Sequence, residues 1–260
     1  MMVEFQFIDV RKVQNACIIT INREEKMNAL NRHLLQEIKR AVEVAEKNDE
    51  NHGIILTGKG GKAFAAGADI AEFADFDSKE GKAMSAEGHE VMNALEQCSK
   101  PTIAAINGYA LGGGNELAMA CHLRIASPNA VFGQPEVKLG LPPGYGGTQR
   151  LIQLVGKAKA LELNMTGKNI QAEEAHHIGL VNAIVKQEDL MKYCLDIIST
   201  ISKRWPMAIA SIIRCTNAYF SEQDGHKTEI EEFGNSFQTD DFSEGTSAFL
   251  NKTKANFRKS

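Results

Sequence analysis

The sequence has little that would mark a membrane, secreted or metal-binding protein. It contains no run of about 18 apolar residues, so we expect no membrane-spanning helix. The five cysteines are scattered and none forms a Cys-x-x-Cys pair, which argues against a disulfide framework and favours a reducing compartment. His122 and the adjacent His176 and His177 show no metal-ligand spacing, so we predict no metal site.

Motifs of several enzyme classes are also missing. The sequence has neither the Gly-x-Ser-x-Gly elbow of serine hydrolases nor a nucleotide-binding P-loop. The glycines at 112–114 lack the spacing of a dinucleotide-binding loop, which argues against NAD-dependent chemistry. A formal net charge of -4 gives no general attraction to polyanions. The first residues show no signal peptide, so we expect a cytoplasmic protein, with a removed mitochondrial transit sequence as the alternative.

What the chain does contain is typical of a globular protein. Of its 260 residues, 43% are hydrophobic and 24% are charged, which is enough apolar material for one large domain or two small ones. Strand-like runs at 16–21, 53–57 and 101–106 alternate with an amphipathic helical stripe at 34–45. This alternation predicts an α/β core, and the mainly helical pattern of residues 200–258 suits a packing or oligomerisation layer.

Two glycine-containing segments are candidates for backbone contact with a ligand. In the first, Phe64-Ala-Ala-Gly-Ala-Asp69-Ile, small residues let a ligand approach the backbone, and Ala68 would present its amide. We predict that Asp69 caps a following helix, although the segment would also suit a plain strand-to-helix connection. In the second, Gly112-Gly-Gly-Asn-Glu116, the amides would lie at the positive end of a helix and could stabilise an oxyanion.

Two glutamates lie close to these segments. Glu116 is followed by Leu-Ala-Met-Ala, so its carboxyl is expected to be poorly solvated and to have a raised pKa. Glu136 follows a proline and precedes the Gly/Pro-rich residues 140–147, and a rigid backbone of this kind suits a group whose position matters. Alternatively, Glu116 is a helix-dipole residue and Glu136 an exposed loop residue. Two amides and two carboxyls without a nucleophile or metal favour enolate-type thioester chemistry.

These segments resemble those of the crotonase, or enoyl-CoA hydratase/isomerase, family. Further similar segments at 26–30, 100–111, 146–151, 166–168, 239–249 and 254–257 follow in the family's order, so the resemblance covers nearly the whole chain. It implies an α/β fold, a crotonase-like spiral of ββα units over residues 1–198. A C-terminal helical trimerisation region would follow over residues 199–260.

The resemblance also implies an activity and its residues. The amides of Ala68 and Gly113 would form the oxyanion hole, Glu116 would activate a water and Glu136 would protonate C2. Which glutamate acts as acid and which as base stays open, because paired carboxyls titrate together. The presence of both favours an enoyl-CoA hydratase, a lyase that adds water syn and reversibly across the 2,3-double bond of a trans-2-enoyl-CoA. Coenzyme A would be part of the substrate, with no separate cofactor.

The resemblance further implies where coenzyme A binds and how the chain assembles. We expect a homotrimer, or a homohexamer made of two trimers, and no membrane partner. The candidate residues for binding coenzyme A, the last two of them from the tail, are Lys26, Ala29, Lys62, Ala66, Asp69, Ile70, Phe233 and Lys252.

Other functions on this scaffold are kept as alternatives. One is another acyl-CoA reaction such as double-bond isomerisation, and another is a branched-chain hydratase for methylglutaconyl-CoA. Fatty-acid β-oxidation, branched-chain amino-acid breakdown and hydroxybutyryl-CoA metabolism are all compatible with the sequence. RNA binding is disfavoured, because glutamates interrupt the basic residues of the helix predicted at 31–48. A catalytically inactive scaffold is disfavoured because both glutamates are present.

Overall fold

The strands of the protein form two sheets. The computed structural model describes residues 5–221 and 224–257. The strands within those residues are β1 (Ile8–Val13), β2 (Ala16–Ile21), β3 (Gly53–Gly58), β4 (Ala63–Ala65), β5 (Thr102–Ile106), β6 (Tyr109–Leu111), β7 (Leu123–Ala126), β8 (Val131–Gly133), β9 (Asn169–Gln171) and β10 (Ala183–Ile184). A six-stranded sheet has the order β1-β2-β3-β5-β7-β10, and a four-stranded sheet has the order β4-β6-β8-β9.

Helices follow the strands and dominate the second half of the chain. The α-helices of the described residues are α1 (Arg32–Lys47), α2 (Ser78–Glu96), α3 (Gly113–Ala120), α4 (Gly147–Val155), α5 (Lys157–Thr166), α6 (Ala172–His177), α7 (Leu190–Ile201), α8 (Pro206–Ala218), α9 (Gly225–Ser236) and α10 (Asp240–Leu250). Short 3-10 helices occupy Glu24–Lys26, Ile70–Glu72, Pro135–Leu139 and Gln187–Asp189. No helix in this part of the chain is both long enough and apolar enough to cross a membrane.

The chain winds as a spiral between the two sheets. Each of the pairs β3–β4, β5–β6 and β7–β8 places its first strand in the larger sheet and its second in the smaller one. An α-helix follows each pair: α2, α3 and α4 in turn. The predicted spiral of ββα units, with a helical C-terminal region, is therefore confirmed. Because the spiral repeats, segments far apart in sequence end at the same edge of the structure.

The larger sheet is covered on both faces, as expected of a mainly parallel sheet. Every residue of β3 and β5 is buried. One face contributes to a core with α1, α2 and α3, and the opposite face packs against Leu190, Cys194 and Ile198 of α7. All eight residues of α3 are buried, so the start of this helix is fixed from every side.

Some strands were not predicted from the sequence. The first strand, β1, begins at Ile8 and is not among the strand-like runs identified above, and residues 1–4 lie outside the described part. The sequence does not predict the three-residue strands β4 and β6, because they lie among glycines and alanines, which have weak strand propensity. The proposed division between residues 198 and 199 falls inside α7 and stays a prediction.

The close approach of α3 to β4 requires glycine at position 114. A Cβ added there would lie 1.9 Å from the backbone oxygen of Ala65, whereas a Cβ at Gly81 in α2 would meet nothing within 4 Å. We expect Gly114→Ala to lower the free energy of unfolding by about 2 kcal/mol or more through overpacking. Gly81→Ala should raise it by about 0.5–1 kcal/mol. Urea unfolding of both variants tests this, and equal effects would contradict it.

Candidate active site

The loop after β4 holds the N–H of Ala68 away from its nearest neighbouring segment. Leu30 N donates to Gly67 O at 2.8 Å, and Asp69 N donates to Leu30 O at 2.8 Å. Leu30 and Ala68 therefore form a parallel β-bridge. In a bridge of this kind, Leu30 bonds to the residues before and after Ala68, and Ala68 directs its own N–H and C=O to the opposite side. The Ala68 N–H therefore points away from Leu30.

The first turn of α3 supplies a second free N–H beside it. Gly113 is the first residue of the helix, so its N–H has no acceptor within the helix. A Cβ added to Gly113 would lie 3.5 Å from Ala68 N, which makes the two amides neighbours. Among the backbone hydrogen bonds of turns, loops and helix caps within residues 5–221 and 224–257, none is donated by either N–H. Such a pair at a helix N-terminus can bind an oxygen that carries negative charge.

Arg23 holds the Ala68 loop in place. Its buried guanidinium donates to Ala29 O at 2.6 Å and to Asp69 Oδ2 at 3.0 Å. The predicted capping role of Asp69 is therefore wrong. Asp69 does precede the 3-10 helix at Ile70–Glu72, but its side chain makes no cap hydrogen bond. The reason is electrostatic, because a buried guanidinium requires a charged partner.

Glu116 lies in the first turn of α3 and is only 1% exposed. Its Oε1 accepts hydrogen bonds from Tyr145 N at 2.8 Å and from Gly147 N at 2.7 Å. A Cβ added to Gly147 would lie 3.0 Å from this oxygen and 2.1 Å from the side-chain amide of Gln134. Glycine at 147 thus allows the 140–147 loop to close onto the carboxyl.

The surroundings of Glu116 bring its pKa close to neutrality. Burial first, and then the negative charge of Glu136, raise the pKa of Glu116 to about 7. The hydrogen bonds from Gly147 and Tyr145 and the positive charge of Arg150 act in the opposite direction. A carboxyl of this kind populates both protonation states at neutral pH, which suits proton transfer.

Glu136 lies at the same end of α3. It belongs to the 3-10 helix Pro135–Leu139, which follows β8. Its Oε1 lies 2.9 Å from the position that a Cβ on Gly112 would take, and Gly112 has a φ of +50°. Burial raises the pKa of Glu136. Its Oε2 is buried and has no hydrogen-bond partner among the described residues, so this oxygen is free to bind a ligand.

The structure thus brings the four main predicted residues together. Gly113 adjoins Ala68, Gly112 adjoins Glu136, and Glu116 follows in the same helical turn. Two N–H donors and two carboxyls with raised pKa values surround the N-terminus of α3. The donors can stabilise a developing oxyanion while the carboxyls transfer protons to and from neighbouring atoms.

The candidate residues for binding coenzyme A fall into two groups. The segments that contain Ala29 and Ala66 lie side by side, since Ala66 N donates to Met27 O at 3.1 Å. Lys26, Lys62 and Ile70 are exposed nearby in sequence. For the tail residues, no hydrogen bond, ion pair or ring contact in the described part of the chain links Phe233 or Lys252 to residues 26–29 or 66–70, and their role in binding stays a prediction.

Sequence reasoning missed Tyr145. It treated residues 140–147 as a rigid loop, whereas the backbone of Tyr145 binds Glu116 and its side chain is buried. The two residues are 29 positions apart, so no local pattern relates them. The Tyr145 side chain also borders a cavity of about 350 Å³ between α1 and α2. The other residues lining this cavity are Arg32, Leu35, Gln36, Glu72, Phe76, Glu80, Ala83, Met84, Glu87 and Gly88.

Comparison with known proteins gives matches over nearly the full length. A family model described as enoyl-CoA hydratase/isomerase matches residues 11–260. The chain is 42% identical over 253 residues to a short-chain-enoyl-CoA hydratase of Clostridium acetobutylicum, covering 96% of this chain and 97% of the relative. It is 43% identical over 261 residues to a crotonyl-CoA hydratase of Syntrophomonas wolfei, covering 97% and 98% respectively. The crystal structure of an enoyl-CoA hydratase from Bacillus anthracis superposes with a TM-score of 0.91 at 35% identity, covering 98% of this chain and 100% of that one.

The raised pKa of Glu116 predicts a pH-dependent effect on stability. The unfolded carboxyl releases its proton near its ordinary value of 4.5, and the folded one near 7. Stability therefore falls as pH rises between these values, by up to about 3 kcal/mol. Glu116→Gln keeps the acceptor oxygen without the charge, so its melting temperature should exceed that of the wild type at pH 8, by a margin that shrinks towards pH 5.

Calorimetry across this pH range tests the expectation. The exposed Glu188 offers a matched control, since Glu188→Gln should change stability little at any pH. A difference between Glu116→Gln and wild type that stays constant with pH would contradict the assignment of a near-neutral pKa to Glu116.

Proposed function

The chain belongs to the enoyl-CoA hydratase/isomerase family, and from this premise we propose that it adds water across the 2,3-double bond of a trans-2-enoyl-CoA. Two of its relatives bear the names of enoyl-CoA hydratases at 42% and 43% identity. The observation that carries the proposal is the pair Glu116 and Glu136 at one helix end, beside the free amides of Ala68 and Gly113.

In this mechanism the thioester oxygen accepts hydrogen bonds from Ala68 N and Gly113 N. When a nucleophile adds at C3, negative charge moves onto that oxygen and an enolate-like state forms. The two donors are fixed by the Arg23 contacts and by the buried first turn of α3, so little reorganisation accompanies the reaction. A single donor of this kind typically contributes about 10²–10³-fold in rate.

The two carboxyls complete the addition. Since Oε1 of Glu116 is held by two N–H groups, its Oε2 is left to accept a proton from water. The two carboxyls share one proton, and the addition proceeds from the state in which that proton lies on Glu136 and Glu116 is ionised. The water oxygen bonds to C3 as its proton leaves for Glu116, and Glu136 donates the shared proton to C2 on the same face. Glu116 then carries one proton and Glu136 none. A proton shift between them restores the starting state, and the same steps run backwards in dehydration.

Coenzyme A would bind along the paired segments that contain Ala29 and Ala66. Their backbone groups and the exposed Ile70 would face the nucleotide end, and Lys26 and Lys62 would meet its phosphates as point charges. Asp69 would contribute through its backbone, because Arg23 holds its carboxylate. Phe233 and Lys252 would take part only if a second copy of the chain, or a different arrangement of the tail, brought them to this site.

The charges around the site favour an acyl group without a second carboxylate. Glu72, Glu80 and Glu87 line the cavity next to Tyr145, against a single cation, Arg32, that is paired with Glu87. A methylglutaconyl carboxylate directed towards this cavity would meet net repulsion from these glutamates, even with the Tyr145 ring between them. Nucleic-acid binding gains no support either, since Lys39 of α1 is also paired, with Glu90.

Copies of the chain would assemble into a homotrimer or a dimer of trimers. Helices α8, α9 and α10 and the residues between them carry large apolar side chains that are more than half exposed in the single chain. These are Ile212, Tyr219, Ile230, Phe233, Phe237, Phe249 and Leu250. Apolar patches of this kind mark contact surfaces. A cytoplasmic location would agree with the free state of the cysteines.

Hydration is tested with crotonyl-CoA and purified protein. We expect the ultraviolet absorbance of the conjugated thioester to fall at a protein-dependent rate, with oxygen from isotopically labelled water appearing at C3. Glu116→Gln and Glu136→Gln should each lower turnover by about 10²–10⁴-fold while acyl-CoA binding persists. The exposed Glu188 serves as control, since Glu188→Gln should keep the wild-type rate. A labelled oxygen that never appears, with the double bond moved instead, would favour isomerisation.

Assembly is tested by light scattering of the eluted protein. The wild type should have three or six times the mass of one chain. A charge in the apolar patch, Ile230→Lys, should lower this mass because a buried lysine would lack a partner. The same residue introduced at the adjacent exposed position, Glu229→Lys, should leave it unchanged. A wild type that elutes as a single chain would contradict the proposal.

A further inference from the structure

The ring of Tyr145 fills the space between α2 and the start of α3. One ring edge faces Gly88 of α2, where an added Cβ would lie 2.0 Å from Cδ1 and 2.3 Å from Cε1. The other edge faces Gly113, where an added Cβ would lie 3.3 Å from Cδ2. Tyr145 is 5% exposed. The ring is therefore wedged between the two glycines and occupies the gap that their missing side chains leave.

The backbone of Tyr145 fixes the ring in this position. Its N–H donates to Glu116 Oε1 at 2.8 Å, and its C=O accepts from Arg150 Nη1 at 3.1 Å. Arg150 is buried and also paired with Glu96 of α2. The Cα from which the ring extends is thus held by the Glu116 carboxyl on one side and by the Arg150 guanidinium on the other.

The cavity of about 350 Å³ lies on the far side of this ring. Its described lining includes Tyr145 and Gly88, but none of Ala68, Gly113, Glu116 or Glu136. The ring is in contact with the cavity on one side and with Gly113 on the other. Tyr145 therefore separates the cavity from the amides and carboxyls of the site.

The chemistry of the cavity suits a hydrocarbon tail. Its wall is formed in part by apolar side chains, and the volume lies within the range of small-molecule sites. The apolar members of the wall are Leu35, Phe76, Ala83 and Met84. Charged groups, including the Arg32–Glu87 pair, complete the lining. An acyl chain that passed the position of the ring would gain apolar burial there.

We propose that Tyr145 sets the acyl-chain length, restricting the enzyme to short enoyl groups of about the size of crotonyl by closing the acyl site off from the cavity behind it. This inference rests on the proposed hydratase function. It assigns the specificity to the side chain of Tyr145, whereas the backbone of the same residue supports Glu116.

The test compares kcat/KM for crotonyl-CoA, 2-hexenoyl-CoA and 2-octenoyl-CoA. Wild-type protein should prefer crotonyl-CoA. Tyr145→Ala opens the passage while keeping the backbone N–H, and each newly buried methylene is worth about fourfold. We therefore expect the octenoyl-to-crotonyl ratio of kcat/KM to rise at least about tenfold. Tyr145→Phe keeps the ring and should keep the wild-type ratio. Filling the cavity in the open variant, with Met84→Trp added to Tyr145→Ala, should reverse the gain.

The outcomes separate this inference from the proposed function. If the wild type hydrates none of the three substrates, the proposed function fails and the inference fails with it. If the wild type hydrates crotonyl-CoA but the Tyr145→Ala ratio is unchanged, only the inference is overturned. If Tyr145→Ala folds but its turnover is too slow to measure, the affinities for octanoyl-CoA and butyryl-CoA are measured by calorimetry instead, and their ratio replaces the ratio of kcat/KM. The same tenfold shift is then expected, and an unchanged ratio again overturns the inference.

Discussion

The site depends on the burial of one carboxyl, that of Glu116, at the N-terminus of α3. Two backbone N–H groups, from Tyr145 and Gly147, bind its Oε1, and this contact ties the 140–147 loop to the helix. Burial and the nearby charge of Glu136 bring the pKa of Glu116 to about 7. A buried carboxyl without these donors would cost far more to keep in place, so the loop, the helix and the proton chemistry are parts of one arrangement.

The close backbone approaches around this carboxyl explain the glycines. Gly114 allows α3 to touch β4, Gly112 leaves room for Glu136, and Gly147 leaves room for the loop. Each approach joins different turns of the ββα spiral, which brings segments from the first, second and third strand pairs to one edge. The glycine run that is unfavourable for a helix in isolation is therefore explained by tertiary packing.

Local patterns predicted most of the regular elements and, together with the family resemblance, proposed the main site residues, but they did not predict how these residues are held. The strand at 16–21 has the predicted bounds, because continuous apolar runs mark buried strands. The burial of Glu116 was expected from its apolar neighbours and is confirmed. The pairing of Asp69 with Arg23, 46 residues away, was not predicted, and the capping role assigned to Asp69 was wrong. Contacts of this separation depend on the spiral, which no window of sequence contains.

Tyr145 shows how one residue can couple two properties that are usually treated separately. Its backbone N–H stabilises the oxygen of Glu116, while its ring blocks the gap between Gly88 and Gly113. The backbone contribution is available to any residue except proline, whereas the ring contribution depends on the side chain alone. Substitutions at this position can therefore change which acyl groups fit without removing the donor that positions the carboxyl. A scaffold that holds its acid/base group by backbone donors is in this way free to vary its substrate range at the same residue.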